Sequence, residues 1–106
     1  NGIPLIMSAY ETIIHHLNEG LNVKHLFLEN ESSMHNVPPG SETHFKLVLV
    51  SDNFCGLSKV HRHQMIYKIL LETMKQIHAL SIQAFTIDEY NKNPVIHESP
   101  DCSNKN

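Results

Sequence analysis

Residues 44–51 read HFKLVLVS, and the alternation in this run decides what kind of fold the chain can have. Side chains in a strand alternate with period two, so Phe45, Leu47 and Leu49 fall on one side and His44, Lys46, Val48 and Val50 on the other. A strand with one wholly apolar side needs a second layer to cover it.

The flanking sequence supplies that layer. Upstream, Val23 to Glu29 is rich in branched and aromatic residues and reads as a second strand. Glu31 to Thr43 joins the two and holds Pro38, Pro39 and Gly40. This connection is far longer than the roughly 2–5 residues of a hairpin turn. It therefore costs closure entropy, and long ordered loops tend to carry function. It contains His35. Further upstream, Ile6, Tyr10, Ile13, Ile14 and Leu17 repeat at helical spacing. Ser8 with Glu11 makes a capping box, while Pro4 and Ile6 allow an earlier start. Gly20 stands where a left-handed helix cap is expected.

Downstream, Leu57 to Ile77 is helical again, with Ile66, Ile69, Leu70, Met74 and Ile77 in one apolar arc. The same wheel places Lys59 and Arg62 inside that arc, which an unbroken buried helix would not tolerate. The expectation is a break near His61 to His63, a short helix before it and a longer one after. Leu80, Ile82 and Ala84 then alternate with Ser81 and Gln83 as a third strand, and a turn of helix follows Thr86. The order is α-β-β-α-α-β. A hairpin is antiparallel and a strand–helix–strand crossover parallel, so the sheet is mixed and three-stranded, with helices on one face of a two-layer α+β fold. Residues 1–91 read as one domain and 92–106 as a polar, flexible tail.

A chain of 106 residues that is 41% apolar suits one compact core. The formal charge of −3, from 11 acidic and 8 basic residues, argues against a surface wholly devoted to nucleic acid or anionic lipid. No run of about 18 apolar residues is present to span a bilayer, and no targeting peptide is visible in Asn1 to Met7. Two separated cysteines, Cys55 and Cys102, do not make a disulfide scaffold. They point to a reducing interior, mitochondrial in a eukaryote and otherwise cytoplasmic. Nine histidines in so short a chain call for an account, since imidazole is the commonest protein ligand for transition metals.

Three stretches carry a specific resemblance: NESSMHNVPPGSETHFKLVLVSDNFCG, VHRHQMIYKIL and IHALSIQAFTIDEY. In order and spacing, from about Leu28 to Tyr90, the chain closely resembles the BolA family. It is most similar to the subtype with a histidine ahead of a V-P-[PA]-G-S-E-[ST]-H-F motif. Ser99, Pro100 and Cys102 are similar to an S-P-x-C ending of some members. The resemblance implies a class II KH-like fold, in accord with the element order above. It also implies a function: a non-enzymatic partner of monothiol glutaredoxins, sharing with them a glutathione-containing [2Fe–2S] cluster. Glutaredoxin and glutathione would each supply a thiolate. This chain would supply His78, the histidine of the H-A-L motif, together with His35 or, in its place, His44. The chain alone would be a monomer holding no tightly bound cofactor, and a heterodimer with glutaredoxin.

The residues agree with that picture. His78 falls at a helix-to-strand junction, where the backbone is fixed on both sides, and His35 on a loop that can close over a cluster. Two imidazoles leave iron incompletely ligated, as an interfacial cluster requires, and nitrogen ligands raise its potential as in Rieske centres. Metal-finger spacing is absent. Arg62 and His63 match a family R-H-R motif in which Gln64 replaces the last Arg. With Lys59 and Lys68 they read as a patch for acidic partner groups or glutathione carboxylates, or Arg62 pairs locally instead. Without the second Arg, bidentate recognition there is weakened. Cys55 reads as a buried or half-buried structural thiol.

The alternative is a nucleic-acid-binding transcriptional regulator, with Lys59, Arg62, Lys68 and Lys75 on phosphates. None of Gly2, Gly20, Gly40 and Gly56 forms the GXXG loop of KH domains, and the acidic net charge argues for weak binding. No nucleophile–base signature or phosphate-cradling loop speaks for an enzyme.

Overall fold

A computed structural model describes residues 7–92. Ile6 and Pro4 at the alternative helix start, and the tail from residue 93 with Ser99, Pro100 and Cys102, lie outside the described residues. The elements are α1 (Ala9–Gly20), β1 (Val23–Asn30), β2 (His44–Ser51), α2 (Lys59–Ile69), β3 (Ala79–Phe85) and α3 (Ile87–Lys92), with 3-10 turns at Ser32–Met34, Asp52–Phe54 and Thr73–Lys75.

β2 is the middle strand. It pairs antiparallel with β1 and parallel with β3, the mixed sheet expected from the hairpin and the crossover. Leu28, Leu47 and Ile82 stand in register across the three strands. A slip by one residue would turn Phe45, Leu47 and Leu49 to the wrong side. That side packs under α1, through Ile13 and Leu17, and under α2, through Ile66, with Leu28, Leu70 and Leu80 completing the core. Full burial of each such side chain contributes about 1.5–3 kcal/mol. On the opposite face, β1 and β2 place His25 against Val50 and Phe27 against Val48. There α3 lays Tyr90 on Phe85 and His25, with ring centroids 5.9 and 5.5 Å apart.

α1 begins at the later of its two possible starts. Ser8 and Glu11 form the reciprocal capping box, each accepting from the other's backbone N–H. Gly20 is not a left-handed cap: it is the last residue of α1, and extended Leu21 follows it. Its lack of a side chain matters for contact instead, because a Cβ there would lie 3.0 Å from Ile69 Cδ1. Glycine lets α1 and α2 approach.

The expected break at His61 to His63 does not occur. α2 runs unbroken through it, and the chain leaves the helix only after Ile69, before the turn at Thr73–Lys75. Arg62 faces inward without breaking the helix because it is paired. Nη1 and Nη2 donate to Glu89 Oε1 and Oε2 at 2.6 and 2.9 Å, Nη1 also to Ala84 O, and Nε to Leu57 O. A buried charge is tolerable when its donors are satisfied in this way. Lys59, by contrast, stays exposed. Glu89 closes a second capping box as well: Thr86 N donates to Glu89 Oε1 and Glu89 N to Thr86 Oγ1. Thus α3 is held to α2 by one carboxylate. Asn91 and Lys92 belong to this helix.

Candidate functional site

The parallel pairing of β2 with β3 brings two histidines together. His44 opens β2 and stands in register with Ala79, the first residue of β3; His78 immediately precedes it. Thr43 O accepts from both His78 N (2.8 Å) and Ala79 N (3.0 Å), which pins the junction. The long loop returns the third. After the turn at Ser32–Met34, His35 N donates to Ser32 O at 2.9 Å and Val37 N to His35 O at 2.8 Å. Pro39 and Gly40 then turn the chain back, with Gly40 at φ +80° and Ser41 N donating to Pro38 O. This is a type II turn, whose third position wants glycine.

The three imidazoles form a row. His35 stacks on His44 with centroids 3.6 Å apart and planes 14° from parallel. His44 and His78 are 5.1 Å apart and tilted by 47°. His35 and His78 are exposed and His44 half-buried. Partial burial, and then the neighbouring His35 and His78, hold His44 below the usual imidazole pKa. Among the described residues no group of three or more His, Cys, Asp or Glu is arranged to hold a metal ion unaided.

Buried hydrogen bonds hold the row's base. Ser32, 2% exposed, donates through Oγ to Asn30 Oδ1 and accepts from Thr43 N at 2.8 Å and His44 N at 3.1 Å. Thr43 Oγ1 lies 2.8 Å from His44 Nδ1. Glu42 ties the same stretch to the start of α1, accepting from Ala9 N at 2.9 Å and Tyr10 N at 3.3 Å. A carboxylate suits that place, since a helix start carries unpaired N–H groups and positive potential. Sequence reasoning passed over Ser32, Glu42 and Thr43. No periodicity marks them, because their role is set by the loop's return path. A hollow of about 350 Å³ between the ends of the loop is lined by Asn30, Ser33, Val37, Pro38 and Gly40, among others. Among the described residues no charged side chain lines it.

The basic patch is smaller than the sequence suggested. Arg62 is 2% exposed and committed to Glu89, which withdraws it from both the partner patch and the phosphate-contact set. The signal for this was legible: an Arg inside an apolar arc needs a carboxylate, and T-I-D-E at 86–89 is a capping-box pattern. Lys75 lies 3.3 Å from Glu72. Lys59 and Lys68 remain exposed. His63 is half-buried, its pKa lowered by burial and then by Lys59 and Arg62. Val60 and Tyr67, two turns apart on α2, and Leu71 just beyond it are exposed apolar groups beside these lysines. Cys55 is exposed rather than buried, because Phe54 takes the inward position of its turn.

The family model described as BolA-like protein matches residues 17–89. BolA-like protein 1 of Bos taurus is 46% identical over 87 residues, which cover 81% of this chain and 64% of that protein; the chain thus spans under two thirds of that relative's length. A relative in Escherichia coli, named DNA-binding transcriptional regulator BolA, is 47% identical over 81 residues, 73% of this chain and 77% of the relative. The solution structure of BolA1 from Mus musculus superposes with a TM-score of 0.75 at 38% identity, over 96% of this chain and 84% of that one. The matched span takes in the loop histidine, the central strand and the H-A-L junction, and the chain belongs to the BolA family.

Proposed function

We propose that this chain is a non-enzymatic partner of a monothiol glutaredoxin and shares with it a glutathione-containing [2Fe–2S] cluster. Iron–sulfur cluster assembly, cluster trafficking or iron regulation is the process served. One observation carries the reading: imidazoles from the loop, from the start of β2 and from the H-A-L junction stand in contact at one exposed rim. The donor set fits the cluster. Exposed neutral imidazoles can bind iron, and too few of them converge to complete its coordination alone. His78 and His35 are the ligands offered, with His44 beside them. Bound there, the cluster would have nitrogen ligands on one iron and the higher potential that follows. Val60, Tyr67 and Leu71, flanked by Lys59 and Lys68, suit an acidic partner surface with an apolar centre.

The name of the Escherichia coli relative supports a second reading, binding of DNA. It is the weaker one here, because Arg62 is buried against Glu89 and Lys75 lies beside Glu72, so that among the described residues only two of the four candidate cations have no acidic partner.

The test is reconstitution with a monothiol glutaredoxin, glutathione, iron and sulfide. A mixed complex with a Rieske-like spectrum is expected, and loss of that spectrum in His78→Ala with the fold retained. An unchanged spectrum in His78→Ala rules out this ligand. Sub-micromolar, sequence-selective binding of duplex DNA at physiological salt would instead favour the regulator.

A further inference from the structure

Both His35 and His44 are available as the second imidazole, and the hydrogen bonds beneath them distinguish the two. Ser32 Oγ is the starting point. Its proton goes to Asn30 Oδ1 at 2.6 Å, and its two lone pairs take Thr43 N at 2.8 Å and His44 N at 3.1 Å. A hydroxyl oxygen has no third lone pair. The Thr43 hydroxyl therefore finds a saturated acceptor in Ser32 Oγ, 3.3 Å away, and an open one in His44 Nδ1 at 2.8 Å. Its proton belongs on the shorter contact. His44 Nδ1 then accepts, and a neutral imidazole whose Nδ1 accepts carries its proton on Nε2. The ring has no free lone pair left for a metal. Freeing Nε2 would move the proton to Nδ1 and leave the Thr43 hydroxyl without a good acceptor.

The stack requires that a choice be made between the two rings. Ligand lone pairs lie in the plane of the imidazole ring. Two rings nearly parallel and 3.6 Å apart hold those lone pairs in separate planes, which do not meet at one ion. While the stack lasts, only one of His35 and His44 can bind a given iron.

We propose that His44 is a positioning residue and not a ligand: the Thr43 hydroxyl holds it as the Nε2–H tautomer, and its face holds the ring of His35 beside His78. This rests on the proposed cluster role for its consequence, but its structural half stands without it. His44 also presents an N–H at the rim, the kind of donor that raises a cluster's potential when directed at sulfur.

Long-range proton–nitrogen correlation NMR of the free protein near pH 7.5 reads the tautomer directly. The Nε2–H form is expected for His44, with a shift toward mixed tautomers in Thr43→Val. A dominant Nδ1–H form in the wild-type protein overturns the inference. In the reconstituted complex, His44→Ala should lower the yield by removing the platform, and His44→Phe, which restores a flat ring without nitrogen, should recover it. His35→Ala should lose the Rieske-like signal. Recovery failing in a folded His44→Phe, with the signal kept in His35→Ala, also overturns it. Should the wild-type chain form no cluster complex, the functional reading falls while the tautomer measurement still decides this one.

Discussion

Replacing Arg62 by alanine removes the partner of a carboxylate that is almost wholly enclosed, with side-chain exposures of 2% for Arg62 and 4% for Glu89. The guanidinium makes four hydrogen bonds, two to Glu89 and one each to Leu57 O and Ala84 O. Without it the Glu89 carboxylate keeps, among the described residues, only the N–H of Thr86. Breaking a buried pair from one side costs about 3–5 kcal/mol, chiefly because the remaining charge is stranded. Domains of this size have about 5–15 kcal/mol in total. A melting temperature lowered by at least about 10 °C follows, at roughly 4–8 °C per kcal/mol. The double variant Arg62→Met with Glu89→Leu should recover much of that loss, since an apolar pair strands no charge. Urea unfolding followed by circular dichroism, for Arg62→Met, Glu89→Leu and the double, completes the cycle. Single variants that each cost less than about 1 kcal/mol, or a double as unstable as the sum of the singles, would refute the view of Arg62 as a buried tie between α2 and α3.

Two more predictions concern packing and pH. Gly20→Ala should gain little or lose stability despite alanine's better helix propensity of about 1 kcal/mol, because its Cβ meets Ile69; it should cost less in an Ile69→Val background, measured by the same unfolding assay. His44 and His63 have lowered pKa values in the folded chain. The unfolded chain therefore takes up more protons as the pH drops below about 6.5. The contribution of these neutral histidines is present above that pH and is lost as the pH falls toward their folded values. Stability should decline from pH 7.5 to 5.5, and less steeply in His63→Asn; a decline equally steep in that variant would remove His63 as a cause. The mixed complex should weaken over a similar range, below about pH 6, because imidazole must be neutral to bind metal.

The sheet was legible in the sequence because period-two patterning in 44–51 and 80–84 is strong and the connections fix parallel or antiparallel pairing. The continuous α2 was not. A helical wheel scores Arg62 as misplaced, and only the distant Glu89 makes its burial tolerable. Gly20 differs from expectation for a similar reason: a glycine at a helix end fits a left-handed cap, but here the cause is a tertiary contact with Ile69. At the candidate site, His35, His44 and His78 were visible as residue types at particular places on a loop, a strand and a junction. Their contact follows from the register of β2 with β3 and from the return path of the loop through Ser32 and Thr43, neither of which any local pattern encodes.

The most direct test of the cluster-sharing role uses pulsed EPR on the reduced mixed complex, with nitrogen-15 histidine in this chain alone. Couplings from two histidine nitrogens are expected, falling to one or to no signal when His78 or His35 is replaced. A cluster spectrum with no coupling to labelled nitrogen would mean that this chain contributes no imidazole to the iron, contradicting the central claim.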